Sequence, residues 1–223
     1  MSLVPLRTAV SLQVVLAPPP TSGVERKLAV LLHPWSRLGG RMNDPVLLEL
    51  QAPLHAKGYH VLRYNTRGVG RSTGWGSFTG LSEADDLAAL IEWAIGEVGG
   101  VQDVVVLGYS HGSLVASLQP PLPNIRTSHV LLSYPLSVRG FLTLFRHAHY
   151  AETLKALVSN EKARVLCVYG DADEFTGEGA YEPWKRELEE AGRVKVVEVK
   201  GGSHFWRGED ADEMLRIIRE WVP

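Results

Sequence analysis

The chain has 223 residues, and 45% of them are hydrophobic, which is enough for one buried core. Its formal net charge is −2 and its Lys and Arg residues are scattered, so it lacks the basic surface expected of a nucleic-acid-binding protein. A single cysteine, Cys167, excludes an intramolecular disulfide. No stretch approaches the roughly 20 apolar residues that cross a bilayer. We expect one cytoplasmic domain over residues 1–223.

Short β-rich runs alternate with longer amphipathic runs, which is typical of a mostly parallel sheet covered by helices on both faces, a doubly wound α/β fold. The N-terminal run AVSLQVVLAPPP predicts a strand, because polar residues interrupt it and no charged segment precedes it. A Pro-rich turn, APPPTSG, follows at 17–23. Further strands are predicted at 28–33, 60–65, 103–109, 129–134, 164–170 and 194–199. Helices are predicted at 44–57, 81–96, 111–119, 179–191 and 208–221.

The helix at 81–96 has recognisable ends. Ser82 is its expected N-cap, Glu83, Asp85 and Asp86 lie in the first turns where the helix dipole favours anions, and Gly96 is its expected end. These acids are therefore predicted to be structural. The segment from about 137 to 163 is the only long insertion and the only candidate for a lid, and its brevity predicts an open site.

The run VVVLGYSHGSLVA, residues 104–116, contains a Gly-x-Ser-x-Gly pattern between a strand and a helix. A Gly-rich turn without function would explain it. The alternative is that Ser110 is a nucleophile on a tight strand-to-helix turn, with Gly108 and Gly112 permitting the close packing. The pattern is weak by itself, so its surroundings must support it.

Catalytic groups gather at the carboxyl ends of the strands in an open parallel sheet. Asp173 follows the strand at 164–170, and His204 follows the last strand in a Gly-rich loop, so the chain order is Ser, Asp, His. A serine hydroxyl needs an imidazole to take its proton and a carboxylate to orient that imidazole. Asp171 competes with Asp173 for the acid role, and we prefer Asp173.

The other histidines are predicted to have different roles. His60 and His129 belong to strands and are expected in the core or at an edge, and His147 and His149 point to different faces of a helix, which makes a poor metal pair. The ring of His111 is expected to point away from the base. No metal or organic cofactor is predicted. The segment RGVGRSTG departs from the dinucleotide-binding spacing and is predicted to be a structural turn.

The loop LLHPWSRLGG follows the strand at 28–33 and is expected to supply one amide of an oxyanion hole. Pro34 has no N–H, so the candidates are the backbone amides of Trp35 and His111. Cys167 lies in an apolar run and is expected to be a core thiol. The rings of Trp35, Tyr109 and Trp206 are candidates for the walls of a substrate pocket.

Five segments together resemble those of small, capless α/β-hydrolases: HPWSRLGGRMND, RYNTRGVGRSTG, GYSHG, GDADEF and GGSHFW, spanning roughly residues 28–206. The resemblance implies an α/β-hydrolase fold with a minimal cap or none. The chain is similar to short bacterial and fungal hydrolases of the dienelactone hydrolase-like or peptidase S9-like kind. Dienelactone hydrolases proper use a cysteine nucleophile, whereas this chain has Ser110, which favours esters or thioesters as substrates.

The expected function is therefore a serine hydrolase that cleaves ester or thioester bonds of small substrates through an acyl-enzyme, with amides a further option. Two alternatives stay open: an acyltransferase or perhydrolase on the same three residues, and a catalytically idle binding module with a hydrolase fold. The sequence does not indicate an oligomeric state.

Overall fold

The computed structural model describes residues 1–21 and 26–223, and within them eight strands form one sheet. The strands are β1 Ser2–Pro5, β2 Ser11–Ala17, β3 Arg26–Leu32, β4 Tyr59–Tyr64, β5 Val101–Tyr109, β6 Arg126–Leu132, β7 Ala163–Gly170 and β8 Val194–Val199. Their order is β1-β2-β4-β3-β5-β6-β7-β8. β1 and β2 pair antiparallel to their neighbours, and all the pairs from β4 to β8 are parallel.

The helices cover both faces of the sheet, so the predicted doubly wound α/β fold is confirmed. They are α1 Pro45–Glu49, α2 Gln51–Ala56, α3 Leu81–Val98, α4 His111–Ser117, α5 Arg139–Leu142, α6 His147–Ser159, α7 Glu178–Ala191 and α8 Glu209–Trp221. α3, α4, α6 and α7 pack with Val104 and Val106 of β5, whereas α1, α2 and α8 pack with Val105 and Leu107. Side chains alternate along a strand, so β5 contributes to both cores.

The predicted strands are all present, with ends displaced by at most three residues, and β2 is the predicted N-terminal strand. β1 was not predicted. The helix expected over 44–57 is instead two helices, α1 and α2, which meet at Leu50. Residues 22 and 23 of the predicted Pro-rich turn lie outside the described residues.

α3 begins at Leu81 as predicted, but its predicted N-cap and its predicted C-terminal end are wrong. The N-cap is Gly80, with a φ of 75°, rather than Ser82, and no side chain caps the helix. The C-terminal end is Gly99, with a φ of 69°, so Gly96 lies inside the helix. Each end uses a glycine because a positive φ is strained for residues that carry a Cβ.

Two of the three acids of α3, Asp86 and Glu83, are structural as predicted, and they hold loops rather than merely facing the helix dipole. Asp86 is buried and accepts two bonds of 2.7 Å from Arg67 and one of 2.5 Å from Thr8. Glu83 accepts bonds from the amide and hydroxyl of Ser77. Asp85 is exposed.

The segment 137–163 is not a lid for most of its length. α6 buries Tyr150, Leu154 and Leu157 in the core beside α4 and β7. Only the part around α5 reaches the site described below.

Cys167 is buried in the core, as predicted. Among the described residues, no helix is long and apolar enough to cross a membrane; the cytoplasmic location stays a prediction.

Candidate active site

Ser110 lies at the junction between β5 and α4, at the carboxyl edge of the sheet. Its φ of 54° and ψ of −122° are unfavourable for a residue with a side chain. Backbone bonds hold this conformation: the Ser110 amide donates to the Leu132 carbonyl at 2.9 Å, and the Ser110 carbonyl accepts from the amide and hydroxyl of Ser113 at 2.8 and 2.6 Å. The serine is therefore fixed on a strained turn of the kind that exposes a nucleophile.

The two glycines that flank Ser110 are required by space. A Cβ at Gly108 would overlap the carbonyl of Gly112, and a Cβ at Gly112 would lie 2.5 Å from the Leu32 carbonyl oxygen. Real contacts of this kind are excluded by van der Waals repulsion, so α4 can approach β3 and β5 this closely only with glycine at both positions. The Gly-x-Ser-x-Gly pattern thus has a packing reason.

The structure brings Ser110, His204 and Asp173 together. The Oγ atom of Ser110 lies 3.0 Å from Nε2 of His204, and Nδ1 of His204 lies 2.8 Å from Oδ2 of Asp173. Because a carboxylate can only accept, Nδ1 of the neutral ring donates to Asp173 and Nε2 is left to accept from Ser110. All three side chains are buried to more than 90%.

The choice between the two acids follows from their contacts. Oδ1 of Asp173 accepts from the amides of Phe175 and Thr176 at 2.8 and 2.9 Å, which orients Oδ2 towards His204. Asp171 instead accepts from the amide of Gly201 at 2.6 Å. Asp173 therefore contacts the imidazole, and Asp171 holds the base of the loop that carries it.

Residues without a recognisable motif hold the histidine loop. Oε2 of Glu174 accepts from the His204 amide at 2.8 Å, and the Tyr109 hydroxyl donates to the His204 carbonyl at 2.9 Å. Asp210 accepts from the amide of Ser203 at 2.9 Å. The sequence analysis missed the roles of Glu174 and Asp210, since such contacts depend on loops that meet only in the folded chain.

The loop after β3 brings Trp35 close to Ser110 in the same cavity wall. In the part of the chain that the structure describes, the amides of Trp35 and His111 donate to no backbone carbonyl. His33 holds this loop: Nδ1 donates to the Pro34 carbonyl at 2.7 Å and Nε2 accepts from the Thr66 amide at 3.1 Å. Burial lowers the pKa of His33 to about 4, so the ring is neutral and this tautomer is retained.

The ring of His111 is absent from the cavity lining, in agreement with the expectation that it points away. Burial and the proximity of His33 lower its pKa to about 4. His129 is buried in β6 as predicted, and burial lowers its pKa to about 4 as well.

A cavity of about 310 Å³ opens above Ser110 and His204. Trp35 and Tyr109 line it, as expected for two of the three candidate wall residues. Trp206 does not. It is 2% exposed, packs in the core beside α8, and donates from Nε1 to the hydroxyl of Ser133 at 2.9 Å. A φ of 48° at Trp206 turns the chain there, and Phe205 lines the cavity in its place.

The rest of the wall is mainly apolar and includes Leu38, Val138, Phe141, Leu142 and Phe175. The rings of Trp35 and Phe141 meet edge to face at 5.8 Å. Leu38 and Phe141 are about 70% exposed, so they form the rim of the cavity rather than its floor.

A carboxylate outside the triad also lies in the cavity wall. Asp44 lines the cavity, and burial raises its pKa above the usual value. The hydrogen bond from the Val46 amide lowers the pKa of Asp44, and so does the nearby His204. The Glu49 carboxylate raises this pKa further. The sequence analysis did not single out Asp44.

Comparison with known proteins agrees with this architecture. Residues 40–119 match a family model described as the alpha/beta hydrolase fold. An uncharacterized protein of Rickettsia prowazekii is 30% identical over 129 residues, which are 52% of this chain and 54% of that protein. The chain thus spans about half the length of this curated relative.

Solved structures match over nearly the whole chain. A serine hydrolase without a lid from Xanthomonas campestris has a TM-score of 0.76 and 25% identity, covering 100% of this chain and 94% of that one. An alpha-beta serine hydrolase homologue from Coxiella burnetii has a TM-score of 0.79 and 23% identity, covering 99% and 96% of the two chains. The absence of a lid in the Xanthomonas protein parallels the short α5 segment seen here.

Proposed function

We propose that this chain, which has the α/β-hydrolase fold, is a serine hydrolase acting on small esters or thioesters. Amides are a further class of substrate for the same chemistry. Ser110 is the proposed nucleophile, His204 the general base and acid, and Asp173 the residue that orients His204.

The observation that carries this proposal is the continuous hydrogen-bonded chain from Ser110 through His204 to Asp173 at the floor of an open cavity. A binding module has no physical need for a strained serine, a correctly oriented imidazole and a buried carboxylate in one line. The geometry therefore favours a catalytic protein over an idle one.

The proposed reaction has two steps. Ser110 Oγ attacks the substrate carbonyl carbon while Nε2 of His204 takes the hydroxyl proton, and the resulting imidazolium returns that proton to the departing alcohol or thiol. Water, deprotonated by His204, then attacks the acyl-enzyme, and the acid leaves as Ser110 regains its proton. The buried Asp173 stabilises the imidazolium in both steps.

The oxyanion of each tetrahedral intermediate is assigned to the amides of Trp35 and His111. Both lack a backbone acceptor in the described part of the chain, and the N-terminus of α4 adds a favourable dipole at His111. Each donor of this kind is worth about 3 kcal/mol of transition-state stabilisation. His33 is a positioning residue, because it holds the Pro34 carbonyl and so the direction of the next peptide unit.

Labelling with a fluorophosphonate probe, followed by intact-mass measurement, tests the proposal. We expect one adduct on the wild-type protein, none on Ser110→Ala, and strongly slowed labelling of His204→Ala. Ser159→Ala is the matched control, because Ser159 is an exposed serine on α6, outside the cavity lining. It should label at the wild-type rate.

The two acids provide a second comparison. Asp173→Asn should lower kcat for a p-nitrophenyl ester by about 10⁴-fold because it favours the wrong histidine tautomer, as in the serine proteases. Asp171→Asn should retain most of the activity, because the Asp171 side chain bonds to the Gly201 amide and not to His204. The absence of a wild-type adduct and of any ester or thioester hydrolysis would contradict the proposal. Acyl transfer to an added alcohol or to peroxide, at the expense of hydrolysis, would identify an acceptor other than water.

A further inference from the structure

Asp44 places a carboxylate in the wall of the cavity that contains Ser110 and His204. Among the described lining residues there is no Lys or Arg, and most of the others are aromatic or aliphatic. The mechanism above uses Asp173 as its only carboxylate, so Asp44 has no role in it.

The carboxylate is held in a fixed position. Asp44 is the N-cap of α1: its Oδ1 accepts from the Val46 amide at 3.0 Å, its own amide donates to the Arg41 carbonyl at 2.9 Å, and its carbonyl accepts from the Leu48 amide at 3.0 Å. The two backbone bonds fix the main chain of Asp44, and the bond to Oδ1 orients its side chain before any substrate arrives.

The second oxygen of this carboxylate, Oδ2, makes no hydrogen bond within residues 1–21 and 26–223. Asp44 also takes part in none of the ion pairs found in that part of the chain. A half-buried carboxylate in a largely apolar wall has lost part of its hydration without gaining a cationic partner. A positively charged group on the substrate would supply that partner.

We propose that Asp44 is a specificity-determining residue that selects esters or thioesters carrying a positively charged amine group. This inference rests on the proposed hydrolase function. The same charge repels anionic substrates and favours departure of the carboxylate product once the acyl-enzyme is hydrolysed.

Matched substrates test the inference on the wild-type protein. The acyl series consists of p-nitrophenyl esters of 6-aminohexanoate, heptanoate and monoanionic pimelate, which differ mainly in the charge of the terminal group. The leaving-group series compares S-butyryl thiocholine with its uncharged analogue, the S-(3,3-dimethylbutyl) thioester. In at least one series, kcat/KM should favour the cation over the neutral compound by about 10- to 100-fold, the range for a hydrogen bond or contact with a charged partner.

The matched variants are Asp44→Asn and Glu49→Gln. Asparagine keeps an oxygen for the Val46 amide and removes the charge, so the ratio of cationic to neutral kcat/KM should fall at least about tenfold. Glu49 is an exposed residue of α1 that does not line the cavity, so Glu49→Gln makes the same change in net charge and should leave that ratio unchanged.

The outcomes separate the two proposals. Labelling of Ser110 together with equal rates for cationic and neutral substrates in both series would overturn the role of Asp44 and leave the hydrolase intact. An equal fall in the cationic-to-neutral kcat/KM ratio in Asp44→Asn and Glu49→Gln would also overturn the role of Asp44. The preference would then depend on the net charge of the protein and not on Asp44. No labelling and no hydrolysis would remove the hydrolase proposal and this inference with it. If Asp44→Asn does not fold, the wild-type ratios in both series decide.

Discussion

Two neighbouring aromatic residues of the histidine loop have opposite environments. Phe205 lines the cavity and its ring lies 6.0 Å from that of Phe175, whereas Trp206 is buried on the α8 face of the sheet and bonded to Ser133. The side chain that lines the cavity is therefore the more exposed of the two, and the larger ring packs in the core.

Alanine at these two positions should separate binding from stability. Trp206→Ala removes a buried ring and its hydrogen bond, so the free energy of unfolding should fall by about 3–5 kcal/mol in urea titrations. Phe205→Ala should change that free energy by less than about 1 kcal/mol and alter the preference among acyl chain lengths in kcat/KM. A stable Trp206→Ala with a changed chain-length profile would instead place that ring in the pocket.

Among the helices, two glycines, Gly112 in α4 and Gly96 in α3, have different structural requirements. Gly112, in the first turn of α4, packs against the carbonyls of Leu32 and His33, whereas Gly96 inside α3 has no atom within 4 Å of an added Cβ. Glycine at position 112 lets α4 lie close to the sheet, and this close packing positions Ser110. At position 96 the helix surface has room for a side chain.

Gly96→Ala should stabilise the protein by about 0.5–1 kcal/mol, because alanine has the higher helix propensity and its methyl group meets nothing. Gly112→Ala should be strongly destabilising and should abolish fluorophosphonate labelling, because the added Cβ would force α4 away from β3. Thermal unfolding and urea titration of both variants measure the difference. Destabilisation by Gly96→Ala would show that α3 ends before Gly99.

For the protein as a whole, buried neutral histidines such as His33 and His129 connect stability to pH. Burial lowers the pKa of both His33 and His129 to about 4, from an ordinary value of 6.5. Between pH 6.5 and 4 the unfolded chain therefore binds protons that the folded chain excludes. The free energy of unfolding should decrease as the pH falls through this window, and each histidine should contribute about 3 kcal/mol by pH 4.

His129→Gln should reduce this pH dependence, because glutamine retains a donor for the Gln119 carbonyl that His129 Nε2 contacts at 2.8 Å and does not titrate. His147→Gln, at an exposed position of α6, should leave the slope unchanged. Urea titrations at pH 7, 5.5 and 4.5 give the slopes. Parallel curves for His129→Gln and the wild type would contradict the assignment.

All eight strands share one sheet, and both cores pack on it, so we propose that residues 1–223 unfold as a single unit. The same urea titrations test this: circular dichroism and tryptophan fluorescence should give coincident transitions. Two resolved transitions would indicate separate domains.

The alternation of strands and helices, and the candidates Ser110 and His204, could be predicted from the chain alone, because apolar periodicity and glycines near a strand end are local signals. The sequence favoured Asp173 over Asp171 without excluding either. Three features could be seen only in the folded chain: α6 is a core helix and not a lid, Trp206 points away from the cavity, and Asp44 lines it. Each of these depends on segments far apart in the chain that meet at one edge of the sheet, and such contacts leave no periodic pattern in the residues that make them.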